Sequence, residues 1–127
     1  MSGGSPLGRV LGHGTAHAGS GHWWLQRLTA LALLVLAPWF LYSLATVPLA
    51  DHAAVAAWAA HPWHAIALAL LVGTACWHAS LGLQVVIEDY VHGPAIKLAA
   101  LLLARFACIT LAATGLFAVL KLALAAP

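Results

Sequence analysis

The chain has 127 residues, of which 64% are hydrophobic and only 6% charged, with a net charge of +2. A soluble domain carries nearer a quarter of charged side chains, so this composition excludes one, and so small a net charge leaves no basic stripe for nucleic acid. The chain belongs in a lipid bilayer. Cys76 and Cys108 each stand alone within an apolar run and read as small buried residues, not as a disulfide or an iron–sulphur ligand set.

Residues 1–22 are rich in glycine and other small residues and lack apolar periodicity, so they are expected to form an irregular segment outside the membrane. Arg9 is the one basic residue there, and no charged region leads straight into a short apolar core with a cleavage site; the first span is therefore expected to be retained. His13, His17 and His22 are set in Gly and Ser spacers that fix no geometry, which favours a loose or packed tail over a set of metal ligands.

The remainder, residues 23–127, reads as a membrane domain with helices over about 25–49, 64–90 and 95–123. In the first span, Leu28 to Ala50 is free of charge, Trp23 and Trp24 stand at the entrance as interfacial anchors, and Pro38 is expected to bend the helix. Arg27 sits one turn inside the tryptophans. It is either a cation snorkelling to the headgroups or a partner for a buried anion such as a haem propionate. Asp51, His52 and the Pro62-Trp63 pair mark a short connection, in which AAVAAWAA is a candidate interfacial helix.

The second span carries the chemistry. It is free of charge from Ala65 to Ile87 but holds His78 inside and ends on Glu88-Asp89-Tyr90. At 100° per residue, Asp89 lies only about 20° around the helix from His78 and about 16 Å further along it. Gly82, one turn from His78 on the same face, is expected to leave room for something flat and bulky, and a haem is the obvious group. A lone histidine in an apolar helix is more often a hydrogen-bonded packing residue, but an ionisable group inside a span is costly and marks a functional site by default. Ligation by haem iron would require a second axial histidine from another subunit. Asp89 and Tyr90 likewise have two readings: a helix end in the headgroup layer with a belt tyrosine, or a polar pocket at the membrane surface.

The third span follows His92-Gly93-Pro94, a stop and restart signal, and carries Lys97 at its entrance, Arg105 about 12 Å further in and Lys121 near its exit. Arg9, Arg27, Lys97 and Arg105 fall toward one side of the membrane and Lys121 toward the other. The positive-inside rule then puts the N-terminus in the cytoplasm, with Asp89 and Tyr90 at the cytoplasmic surface and His78 nearer mid-membrane.

Two stretches carry a resemblance: PLGRV with HWW-x-QR-x-TA near the N-terminus, and HASLGLQVVIEDYVHG, which matches H-A-x-x-G-x-(Q/R)-x-x-x-x-D-Y-V in residue type and spacing. Over almost its whole length the chain resembles the small hydrophobic membrane-anchor subunits of succinate dehydrogenase, respiratory complex II. The resemblance implies an all-α integral membrane protein whose three transmembrane helices form half of a heterodimeric haem-binding bundle. It further implies that His78 is an axial ligand of haem b, with the opposite ligand supplied by a second membrane anchor. Tyr90 would hydrogen-bond a ubiquinone carbonyl with Asp89 beside it, and Arg27 would lie near the haem propionates and the quinone. The implied partners are that second membrane anchor, an iron–sulphur subunit and a flavoprotein subunit in a bacterial cytoplasmic membrane, and the chain itself would not be catalytic. The alternative is a haem-less anchor of a fumarate-reductase-type complex, in which His78 is only packed.

Overall fold

Four helices account for nearly all of residues 16–125, the part described by the computed structural model: α1 (Ala16–Thr46), α2 (His52–Ala60), α3 (Pro62–Tyr90) and α4 (Pro94–Leu124). Three helical stretches, Ser20–Thr46, Pro62–Tyr90 and Pro94–Leu124, are long and apolar enough to cross a membrane. At a rise of 1.5 Å per residue each exceeds the roughly 30 Å of a hydrocarbon core, so the ends project into the headgroup layers. The chain is a multi-pass membrane protein with an all-helical bundle.

The first helix differs most from the sequence expectation. It begins at Ala16, several residues before the tryptophans, so residues 16–22 are helical and not irregular. Gly19 and Gly21 disfavour that extension by propensity, but packing can outweigh propensity, and the extension carries His22 to a half-buried position. The helix runs through Pro38 and stops at Thr46, because Pro48 disfavours helical backbone at Val47.

The short interfacial helix forms as α2. Asp51 caps it, its Oδ1 accepting hydrogen bonds from the backbone N–H groups of Ala53 at 2.9 Å and Ala54 at 3.4 Å. Trp58 of α2 stacks on Trp39 of α1 and on His64 of α3, at ring separations of 5.9 and 4.6 Å, and those two rings are themselves 6.1 Å apart. The His64 Nδ1–H donates to the Trp58 carbonyl at 2.7 Å, so aromatic contact and hydrogen bond together hold α2 across this end of the bundle.

The centre of the bundle is α3, which packs against both α1 and α4, while among the described residues the backbones of α1 and α4 do not approach each other closely. Small residues let α4 approach. Ala104, Cys108, Ala112 and Gly115 lie at helical spacing on one stripe, with Cys108 buried, as expected for a cysteine used as a small apolar residue. Both cysteines are free thiols. The closest approach is at Gly115, where an added Cβ would lie 2.7 Å from Val72 Cγ1. Valine is stiff at χ1, so it cannot swing away freely. Gly115→Ala should therefore weaken the α3–α4 contact by about 1–3 kcal/mol, the usual cost of overpacking. Thermal unfolding of the protein in detergent would show this as a lowered midpoint, restored in large part by adding Val72→Ala.

Candidate functional site

The face of α1 turned to α3 is polar, which is unusual within a span. His22, Gln26 and Thr29 recur at i, i+4 and i+7, so they lie on one side of the helix, and all three are half-buried. Opposite them α3 presents His78 and, one turn later, Gly82. His78 Nδ1 lies 2.9 Å from Thr29 Oγ1, joining the two helices at mid-span. The same hydroxyl oxygen is 2.8 Å from the Leu25 carbonyl and 3.1 Å from that of Gln26.

Gly82 does not face open space. A Cβ built there would meet Gln26 Nε2 at 3.9 Å, so the glycine admits the α1 side chain, and the room expected beside His78 is partly taken up within the chain itself. Two atoms of the polar stripe, His22 Nε2 and Gln26 Oε1, are buried without a hydrogen-bond partner. Such orphans are costly in an apolar medium and mark a place where a further polar group would be stabilising. His78 Nε2 is different. It makes no hydrogen bond among the described residues and is not one of the buried orphans, so it remains open to a group from outside the chain.

Arg27 is on the same helix but not on the same face. Two residues from Thr29, it points about 160° away around α1. Its guanidinium carbon lies 5.4 Å from the centre of the Trp23 ring, and the side chain is exposed. Trp23 packs edge to face with Trp24 at 5.2 Å, so the cation and both tryptophans form one cluster at the start of the span. Within this chain, Arg27 and His78 are not brought together.

Asp89 and Tyr90 occupy the last turn of α3 and are exposed, Tyr90 by 78%. The turn that carries them is tied to the next helix. Lys97 Nζ, from the first turn of α4, donates to the Glu88 carbonyl at 2.9 Å, supplying a donor that the helix end lacks. Gln84 Nε2 donates to Glu88 Oε1 at 2.8 Å one turn earlier. Glu88 is thus used in closing the α3–α4 corner, whereas the two residues after it keep their side chains free.

A cleft of about 490 Å³ lies between α1, α3 and α4, with His22, Cys76, Ser80, Gln84 and Arg105 on its walls. Among the described residues no group of three His, Cys, Asp or Glu side chains lies together as a metal site. His13 and the side chain of His17 lie outside the described residues. The residues that sequence reasoning missed are Thr29, Gln26 and Lys97. The i, i+4, i+7 recurrence of His22, Gln26 and Thr29 is a legible signal for the first two, whereas nothing in the spacing of Lys97 announces that it reaches back nine residues.

The comparisons agree on one family. The profile of the succinate dehydrogenase/fumarate reductase transmembrane subunit family matches residues 1–117. The chain is 33% identical over 97 residues to the succinate dehydrogenase hydrophobic membrane anchor subunit of Rickettsia conorii, covering 76% of this chain and 77% of that one. It is 30% identical over 122 residues to the protein of the same description from Paracoccus denitrificans, covering 96% and 94%. With that of Rickettsia bellii it shares 41% identity over 78 residues, 61% of this chain and 62% of the relative. No solved structure gave a significant match.

Proposed function

The chain belongs to the succinate dehydrogenase/fumarate reductase transmembrane subunit family, and from that premise we propose that it is the membrane-anchor subunit of a succinate:ubiquinone oxidoreductase. In that role it holds a flavoprotein and an iron–sulphur subunit at the membrane, shares haem b with a second membrane anchor, and forms part of the ubiquinone site. The observation that carries the haem reading is a histidine in the middle of a charge-free span with one ring nitrogen hydrogen-bonded and the other open. A ligating imidazole needs that division of labour between its nitrogens. Bound at His78, haem b would supply a one-electron store within the bilayer. Arg27, exposed beside Trp23 on the other face of α1 from Thr29, is the positive charge near this end of the span that we assign to a propionate carboxylate.

The quinone reading rests on Asp89 and Tyr90. Reduction of a quinone to a quinol takes up two electrons and two protons, so the site needs hydrogen-bond donors for the carbonyl oxygens and a route to water. The Tyr90 hydroxyl donates to a carbonyl oxygen and stabilises the negative charge that develops there. Asp89 orients water beside it or passes on a proton. Tyr90 is rotated about 120° from the line of His78 and Asp89, so the quinone and the haem take different faces of one helix end. The Lys97–Glu88 hydrogen bond ties the turn just before both side chains to the start of α4.

The haem reading is tested by the visible spectrum of the purified complex, oxidised and dithionite-reduced. A low-spin haem b spectrum is expected in the wild type, lost or shifted in His78→Ala with all subunits still present. An unchanged spectrum in that variant would leave His78 a packing residue, and a wild type without haem would point to the haem-less anchor.

For the quinone, Tyr90→Phe keeps the ring and removes the donor. Quinone reduction should fall by about 10- to 1,000-fold, the range for loss of one pre-organised donor, while the amounts of haem and of every subunit stay constant. Wild-type turnover would reduce Tyr90 to an interfacial aromatic.

The start of α1 and the α3–α4 corner share one end of the bundle and carry Arg27 and Lys97, which supports a cytoplasmic location for that end. We assign that end to the cytoplasm. A reporter active only outside the membrane should be active when fused after Pro127 and silent in the His92-Gly93 corner; the opposite pattern would reverse the orientation.

A further inference from the structure

A hydroxyl has one proton to give, and at Thr29 three groups compete for it. Oγ1 lies 2.8 Å from the Leu25 carbonyl oxygen, 3.1 Å from the Gln26 carbonyl oxygen and 2.9 Å from His78 Nδ1. The carbonyls can only accept, so each meets this oxygen only through the hydroxyl proton. Ser43, Thr46 and Thr114 direct their hydroxyls in the same way, each to the carbonyl four residues earlier, at 2.9, 3.0 and 2.9 Å. With the Thr29 proton directed back along α1 like theirs, its oxygen meets Nδ1 as an acceptor, and Nδ1 must carry the hydrogen. The opposite tautomer would place an N–H at Nε2, which has no acceptor among the described residues and no lone pair for a metal.

We propose that Thr29 is the positioning residue of His78: its hydroxyl oxygen takes the Nδ1 hydrogen bond, which fixes the imidazole tautomer and ring orientation and leaves the Nε2 lone pair as the iron ligand. The proposal rests on the haem reading of His78. It adds a consequence that the ligand alone does not carry, because a ring that donates from Nδ1 is a stronger electron donor at Nε2 and favours ferric over ferrous iron. The orientation of the ring is set from a second helix. Rotation about the His78 side chain would break the 2.9 Å contact, so the plane of the ligand is tied to the packing of α1 on α3.

The test uses the assembled complex in membranes, with haem content, the low-spin ferric electron paramagnetic resonance spectrum and the haem midpoint potential as readouts. Thr29→Val keeps the shape and loses the acceptor, Thr29→Ala loses both, and Thr29→Ser keeps the acceptor and loses only the methyl group. Val and Ala variants are expected to assemble, to bind haem about 10- to 100-fold more weakly, to show an altered spread of g values and to have a raised midpoint. The Ser variant is expected to match the wild type in all three. Unaltered g values and midpoint in Val and Ala overturn the proposal, as does a Ser variant that departs as far as Val, which would make the methyl group the important part. Loss of the assembled subunits in Val and Ala also overturns it, by making Thr29 a packing residue. His78→Ala serves as the reference. If it keeps the wild-type spectrum, or the wild type holds no haem, the haem reading fails and this one with it; a normal haem that depends on His78 but ignores Thr29 overturns this proposal alone.

Discussion

The cost of leaving a polar group unpaired in hydrocarbon governs this structure. It is why the spans are helices, whose backbone bonds are all internal. It also explains where the side-chain hydroxyls go: Thr29, Ser43, Thr46 and Thr114 each turn back to a carbonyl of their own helix. These bonds do not build the tertiary fold. They make polar residues tolerable in the spans, so that a few can be used between helices. His64 on Trp58, Lys97 on Glu88 and His78 on Thr29 are polar contacts of that kind among the described residues, and they sit at the two ends and the middle of the bundle.

Those contacts divide α3 into two unlike faces. Toward α4 it meets a stripe of small residues, and the helices approach closely enough that Gly115 has no room for a methyl group beside Val72. Dispersion between close backbones is the main attraction available where lipid tails are as apolar as leucine. Toward α1 it meets His22, Gln26 and Thr29, and there the polar atoms are only partly satisfied. A stable, well-packed face and an incompletely paired one on the same helix are what a subunit needs if it folds around one side and presents its chemistry on the other.

Much of the fold was legible in the sequence because length and freedom from charge mark a span almost without regard to tertiary contacts. The boundaries were less so. Residues 16–22 look irregular by composition, yet they extend α1, and only a helix there brings His22 to its half-buried place. His78, Asp89 and Tyr90 stood out because each is a costly or motif-bound residue in an apolar setting. Thr29 did not, since a threonine in a span can serve itself by bonding to its own helix. Its second role exists only because α3 places a ring nitrogen 2.9 Å away, and that is a pairwise fact with no trace in either residue alone. Gly82 carried the opposite lesson: the sequence pattern promised room beside the histidine, and the neighbouring helix used that room for Gln26. Arg27 shows the limit of proximity along the chain, because a shift of two residues from Thr29 turns it to the other face of α1.

With α3 packed against both α1 and α4 and little contact between those two, the chain has almost no interior. Among the described residues, Ala59, Leu81 and Cys108 are the buried apolar side chains, and no large side chain is fully enclosed. Lipid can cover the leucines and valines on the outer faces without cost, but it cannot satisfy His22 Nε2 or Gln26 Oε1, nor complete the coordination of an iron bound to His78. On the proposed reading a second anchor packed beside His78 brings the opposite ligand, whereas His22 Nε2 and Gln26 Oε1 are already buried within the chain. On the same reading the exposed Asp89 and Tyr90 meet a different neighbour, one that reaches the membrane from the aqueous side and delivers electrons there. The rigid corner made by Lys97 suits that arrangement, since a site completed by another protein gains most when its own backbone has little left to reorganise.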